Sequence, residues 1–359
     1  MPLYQLLCRL INGNTRIKQN PSCLILNLPI EIILLITERL PQYQQIILSQ
    51  TCYPLRLITR NNNKLQKLSV INLDRDQQQE YVFALARGRP NLWACHKCVK
   101  LHRIDQHDTP TNQRPGTLCQ TSWSWECYYY RVNYIPYFQH IQYRLFHRHV
   151  QLALKYTRLE TTGTVLRKTY KDHLNRLLQP VLGNIHPHKY GMTNEIKGTL
   201  SISPKVTTDG EFLIHTKYTF YKDIENVSIK SMGCLQICVH QFLTSEAHMH
   251  KMHSGPCHLV NDQYCSCWWH DLLTNPRSAF GLVVVSAFLR ETEVCGSCPF
   301  CETDFSVQAS SEITILRVWQ RFGSETSFSS NNSWRGQMQR PSGTIVASYP
   351  PGSIRQLYG

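Results

Sequence analysis

The chain has 359 residues, 42% of them hydrophobic, and a formal net charge of +14 from 38 Lys and Arg against 24 Asp and Glu. That is ample apolar content for a packed core and enough length for two domains. The basic excess favours acidic partners, but the basic residues are scattered along the chain, which argues against a nucleic-acid stripe.

Residues 1–20 read as a flexible leader, and residues 21–66 as a helical module. Within it runs LNLPIEIILLITERLPQYQQIILSQTCYPLRLI, Leu26 to Ile58, with Leu-Pro steps at Leu28-Pro29 and Leu40-Pro41. Ile30, Ile32, Ile33, Leu34, Leu35 and Ile36 surround one helix axis. A helix apolar all round is either buried or waiting for a partner. Its predicted bounds are Pro29 and Leu40, with Asn27 near the N-cap and Pro41 closing it. A second helix over Gln44–Thr51 and a third opening at Pro54 complete the module.

Residues 67–130 hold a helix capped by Asp74 and Asp76 and stopped by Gly88 and Pro90, then the cysteine knuckle WACHKCVKLH. Residues 131–323 read as an α+β body. Tyr128–Phe146 suits strand or helix. Val150, Leu152, Leu154 and Tyr156 alternate at period two and predict a strand. Gly163–Pro180 reads as a helix. Phe212, Ile214, Tyr218 and Phe220 mark another strand, with Val227 and Ile229 in its expected partner. Val283–Val285 and Ile313–Val318 read as later strands, and residues 324–359 as a loosely ordered tail. The fold class is α+β, with three N-terminal helices before a mixed, cysteine-rich body. Ser278–Leu289, the most apolar later stretch, is too short to cross a bilayer of ~30 Å.

The N-terminal module resembles an F-box. Leu28, Pro29, Glu31, Ile32, Ile33, Ile36 and Leu40 follow that family's opening order, and Ile47, Leu48, Thr51, Cys52, Leu55 and Arg56 its second half. Gln44 and Gln45 depart from it, standing where many members carry Asp-Leu, and Pro54 interrupts a helix that is often continuous. LWACHKCVKLH (Leu92–His102), VQLALKYTRL (Val150–Leu159), CPFCETDFSV (Cys298–Val307) and the closing Trp319–Trp334 stretch are similar, in order and spacing, to motifs of a filamentous-fungal group of F-box proteins. The resemblance implies a substrate receptor. Leu28, Pro29, Ile32, Ile33, Ile36, Leu40, Ile47, Leu48, Thr51, Cys52 and Leu55 would dock on a Skp adaptor and through it on a cullin. The body would recruit a protein substrate for ubiquitination. The alternatives are a zinc-stabilised, basic nucleic-acid-binding protein, or an F-box scaffold without ligase assembly.

There are fifteen cysteines, and the N-terminal sequence carries no secretory signal. An intracellular location, cytoplasmic or nuclear, is expected, with metal binding or burial favoured over disulfides. Cys95 and Cys98 have the spacing of a zinc knuckle, with Cys119 and Cys127 as further thiolates and His96, His102 or His107 as substitutes. A later cluster holds Cys234, Cys238, His240, Cys257, His258, Cys265 and Cys267, and then Cys295, Cys298 and Cys301 at three-residue steps. His248, His250 and His253 lie between these groups. The candidates outnumber four ligands, so structural zinc is an option whose ligand set spacing does not select. No nucleophile signature, deaminase pattern, phosphate-binding loop or dinucleotide fingerprint is present, and no catalytic residue is expected.

Overall fold

The structure is a computed structural model describing residues 24–61, 69–112, 143–163, 166–185, 196–224, 226–233, 235–243, 279–338 and 349–358. The chain divides into two compact units, with the boundary after Tyr81. Among the described residues no helix is long and apolar enough to cross a membrane.

The first unit contains α1 (Ile30–Arg39), α2 (Gln42–Thr51), α3 (Tyr53–Asn61) and the start of α4 (Arg75–Arg87). Prolines set the first two starts: the Pro29 carbonyl accepts from the Ile32 and Ile33 amides, and the Pro41 carbonyl from those of Gln44 and Gln45. Helix α2 therefore begins two residues before the predicted Gln44. Pro54 falls in the first turn of α3, where its missing N–H leaves no hydrogen bond unmade. Asp74 caps α4, its Oδ1 accepting from the Gln77 amide at 2.8 Å. Ile33, Leu55 and Ile58 form a small core, with Leu48 and Cys52 packed against it.

The second unit is built on a six-stranded antiparallel sheet in the order β3-β4-β5-β10-β9-β8. These strands are β3 (Val181–Ile185), β4 (Ile196–Val206), β5 (Glu211–Lys222), β8 (Glu293–Ser297), β9 (Thr303–Ala309) and β10 (Ile313–Ser324). Alternation separates two faces. Phe212, Ile214, Tyr218 and Phe220 of β5 join Leu316, Val318 and Phe322 of β10 in the main core, and Leu213 and Trp319 form a smaller cluster with Ile354. Outside the sheet lie two hairpins, β1 (Leu92–Cys95) with β2 (Lys100–Arg103) and β6 (Leu235–Cys238) with β7 (Gln241–Leu243).

Several expected elements are different. The alternating Val150, Leu152, Leu154 and Tyr156 lie in a helix, α5 (His147–Thr161), not in a strand. Every residue from His147 to Tyr156 is buried, so apolar spacing there carries no period. Helix α6 (Lys168–Leu177) follows within the predicted span. Ile229 lies in a single helical turn, α7 (Ile229–Met232), where Ser228 and Ser231 cap each other, and the true neighbours of β5 are β4 and β10. Val283–Val285 belongs to α8 (Ala279–Arg290), whose Phe280, Val284 and Ala287 are buried on one side. The tail expected to be loose contains α9 (Asn332–Met338) and α10 (Ser353–Tyr358), which bury Trp334 and Ile354. Of Tyr128–Phe146, all but Tyr143–Phe146 lies outside the described residues.

Helix α5 is locked in place by buried polar groups. Asp108 accepts from Arg148 Nε at 2.6 Å and Nη2 at 3.0 Å, and lies 3.3 Å from His149 Nε2. The Phe146 amide donates to His149 Nδ1, which leaves the proton on Nε2, facing Asp108. Burial alone would raise the Asp108 carboxyl, but the His149 and Arg148 hydrogen bonds outweigh it and hold the group well below its ordinary range. Lys155, pushed down to about 8 by burial, donates to the Leu92 carbonyl. Arg148 and His149 converge on Asp108, and Lys155 is satisfied separately by backbone carbonyls, so each of these buried groups has a partner.

Candidate docking face and metal centres

The docking residues suggested by sequence separate into two sets. Ile33 and Leu55 are buried in the first unit's core, and Leu48 and Cys52 pack against it. Leu28, Ile32 and Ile36 face solvent at 40%, 41% and 37% exposure, and Leu35 joins them at 58%. Ile32, Leu35 and Ile36 are spaced i, i+3, i+4 on α1 and make one ridge, while Leu28 is exposed in the bend that precedes the helix. Pro29 and Thr51 are exposed, while Leu40 and Ile47 are half-buried. Leu35 was missing from the sequence-derived set, although counting three residues on from Ile32 would have found it. Helix α1 thus has one apolar side for its own core and a second one in water.

The second unit holds two groups of metal-ligating side chains. Cys238, His240, Cys298 and Cys301 bring one donor atom each to a cluster in which all four atoms lie within 4.8 Å of one another. Cys238 ends β6 and His240 precedes β7, while Cys298 and Cys301 occupy the turn between β8 and β9. Two hairpin tips therefore meet. The three thiols are 1% exposed. The Cys298–Cys301 turn is tight: the Cys298 amide donates to the Thr303 carbonyl at 2.8 Å and the Thr303 amide to the Cys301 carbonyl at 2.7 Å. The Phe300 amide points at Cys298 Sγ, 3.4 Å away. Burial pushes the Cys238 and Cys301 thiols up, while hydrogen bonds from Cys238 and Cys301 hold Cys298 down. Such a group could hold a metal ion.

Of Cys295, Cys298 and Cys301, the last two converge and the first does not. Cys295 lies within β8, exposed, with Arg355 Nη1 3.2 Å from its sulfur, outside the group formed by the other two. An extended strand cannot fold its third-from-last residue back onto the turn that follows it. Cys238 and His240, present in sequence only among a surplus of candidates, take its place.

Cys95, Cys98 and His102 make the second group, again with donor atoms within 4.8 Å of one another. Cys95 ends β1, His102 lies on β2, and Cys98 Sγ sits 2.9 Å from His102 Nε2. Burial, then the Lys100 charge, lowers the His102 imidazole, favouring the neutral, ligating form. Val99, next to Cys98, has φ +53°, a rare backbone for a β-branched residue and the mark of a sharply folded knuckle. Cys119 and Cys127, and the later candidates Cys234, Cys257, His258, Cys265 and Cys267, lie outside the described residues.

Comparisons with protein families, curated proteins and solved structures found no match to this chain.

Proposed function

We propose that the chain is a non-catalytic F-box substrate receptor, in which α1–α3 dock on a Skp-type adaptor and the second unit recruits a protein for ubiquitination. The observation that carries this reading is the solvent-facing ridge of Ile32, Leu35 and Ile36, with Leu28 exposed just before it, on a helix whose other side already packs in a core. Knobs at i, i+3 and i+4 suit a partner with an apolar groove. The motif order of Leu28, Pro29, Glu31, Ile32 and Ile36 points to the adaptor as that partner. Structural zinc in the cysteine–histidine groups fits a role of scaffolding without chemistry of its own.

Co-expression with the Skp adaptor, followed by size exclusion in high salt, tests the reading. Co-elution is expected, because an apolar interface responds little to salt whereas phosphate contacts weaken steeply. Each anchor is worth roughly 1–3 kcal/mol, so Ile32→Asp and Ile36→Asp together should abolish co-elution while leaving the second unit folded. Undiminished binding by the double variant overturns the assignment of the face.

A further inference from the structure

We infer that Cys238, His240, Cys298 and Cys301 bind one tetrahedral Zn²⁺ that clasps the β6–β7 hairpin to the β8–β9 turn, with the C-terminal tail as its outer shell. The inference stands on the geometry of this one group and is independent of the adaptor reading.

The donor set decides the metal class. Three thiolates and one imidazole in closed array are a structural-zinc set, whereas hard cations need oxygen ligands. With Zn–S of ~2.3 Å, tetrahedral sulfurs stand about 3.8 Å apart, which atoms mutually within 4.8 Å can meet by small rotations. Cys238 Sγ and His240 Nδ1 are already 4.0 Å apart. The three thiols are free, so no disulfide competes.

The surroundings resemble the support given to a ligated metal. Zn²⁺ with three thiolates leaves one surplus negative charge, and N–H and O–H donors aimed at sulfur disperse it. Phe300 supplies its amide to Cys298, and Thr303 Oγ1 lies 3.2 Å from Cys301 Sγ. Gln337 of α9 fixes this turn by donating to the Glu302 carbonyl and Thr303 Oγ1, each at 3.0 Å. The Tyr349 hydroxyl adds contacts of 3.1 Å to the Cys298 carbonyl and 2.7 Å to the Thr303 carbonyl. The Phe300 ring packs against the thiols and lies 5.5 Å from that of His240. A group of buried cysteines serving only as packing would not need two hairpin turns and two tail residues to orient it.

The test is zinc content, by elemental mass spectrometry on the full chain after exhaustive dialysis. Cys298→Ser/Cys301→Ser should lose one equivalent relative to wild type, whatever the Cys95 group holds, and Cys295→Ser should lose none. Equal zinc in wild type and the double variant, or a folded wild-type chain without zinc, overturns the inference. Because the double variant could fail to fold, hydrogen exchange on wild type with and without a chelator gives a second readout. Residues 235–243 and 297–303 should lose protection together on chelation. Unchanged protection in both segments after zinc is removed overturns the clasp.

Discussion

Helices α1 and α5 are both rich in apolar residues, and they sort their side chains in opposite ways. Helix α1 keeps Ile32, Leu35 and Ile36 in solvent, although they are apolar. Helix α5 buries Arg148, His149 and Lys155, although they are ionisable. Full burial of an Ile or Leu is worth roughly 1.5–3 kcal/mol, and each of these side chains, about half exposed, leaves a part of it unused. The buried groups of α5 are tolerable because each has a partner, Asp108 for Arg148 and His149 and the Leu92 carbonyl for Lys155. A side chain that defies its own solubility thus stands at the proposed docking face in one unit and in a fixed scaffold in the other.

The sharpest way to break this comparison is to orphan one member of the α5 set. Asp108→Ala leaves the Arg148 guanidinium buried without its carboxylate, and destabilisation of about 3–5 kcal/mol is expected in urea denaturation. A loss below about 1 kcal/mol would mean that Arg148 finds water, and its enclosure would be disproved.

Next in size is a contrast within α1. Ile33→Ala should cost the first unit about 2–4 kcal/mol, because Ile33 lies between Leu55 and Ile58. Ile32→Ala, one residue away, should stay within about 0.5 kcal/mol while weakening adaptor binding. Similar stability losses from both would show that the ridge is part of the core.

Much of this was legible in the sequence where a local rule acts alone. Pro29, Pro41 and Pro54 marked helix starts to within two residues, and the alternation in β5 survived because the two faces of the sheet carry different neighbours. Legibility failed where both faces of an element are covered. In α5 even Gln151 and Lys155 are buried, Gln151 accepting the Ala94 amide at 2.9 Å, so no polar stripe remained to reveal a helical period. Val283, Val284 and Val285 have strand propensity, but packing of Val284 in the core decides for helix, an instance of tertiary context overriding a weak preference. The metal group was legible as chemistry and not as a set. Spacing finds Cys298 and Cys301, whereas Cys238 and His240 become their neighbours only when two hairpins meet.

The tail provides a smaller test of what holds the second unit together. Asp304 is buried on β9, and its carboxylate accepts from the amides of Gly352, Ile354 and Arg355 at 2.9, 2.8 and 3.1 Å. These contacts seat α10 so that Ile354 reaches Leu213 and Trp319. Asp304→Ala should weaken the seat by about 2 kcal/mol, read as earlier proteolytic clipping of the last ten residues with the sheet still intact. If clipping is unchanged, Ile354 burial alone anchors the tail.

The smallest effect concerns a titratable ring that the second unit half-buries among aromatic neighbours. His215 on β5 stacks on Trp319 at 5.1 Å and 13°, and its Nε2 finds no hydrogen bond among the described residues. Burial, reinforced by Arg317 and Lys217, pushes it down to about 4. An unfolded histidine takes its proton near pH 6.5, so between pH about 6.5 and about 4 the unfolded chain binds more protons and stability falls as pH falls. His215→Phe keeps the stacking and removes that proton, so stability at pH 7 should change by no more than about 0.5 kcal/mol. The loss between pH 7 and pH 5 should be smaller in the variant than in wild type. Carboxylates with ordinary unfolded values contribute little in that interval, and any metal-linked loss is common to both proteins, so the difference between the two urea series isolates one ring. Identical losses would mean that folded His215 takes up its proton as readily as a free histidine, and that water reaches the half-buried ring freely.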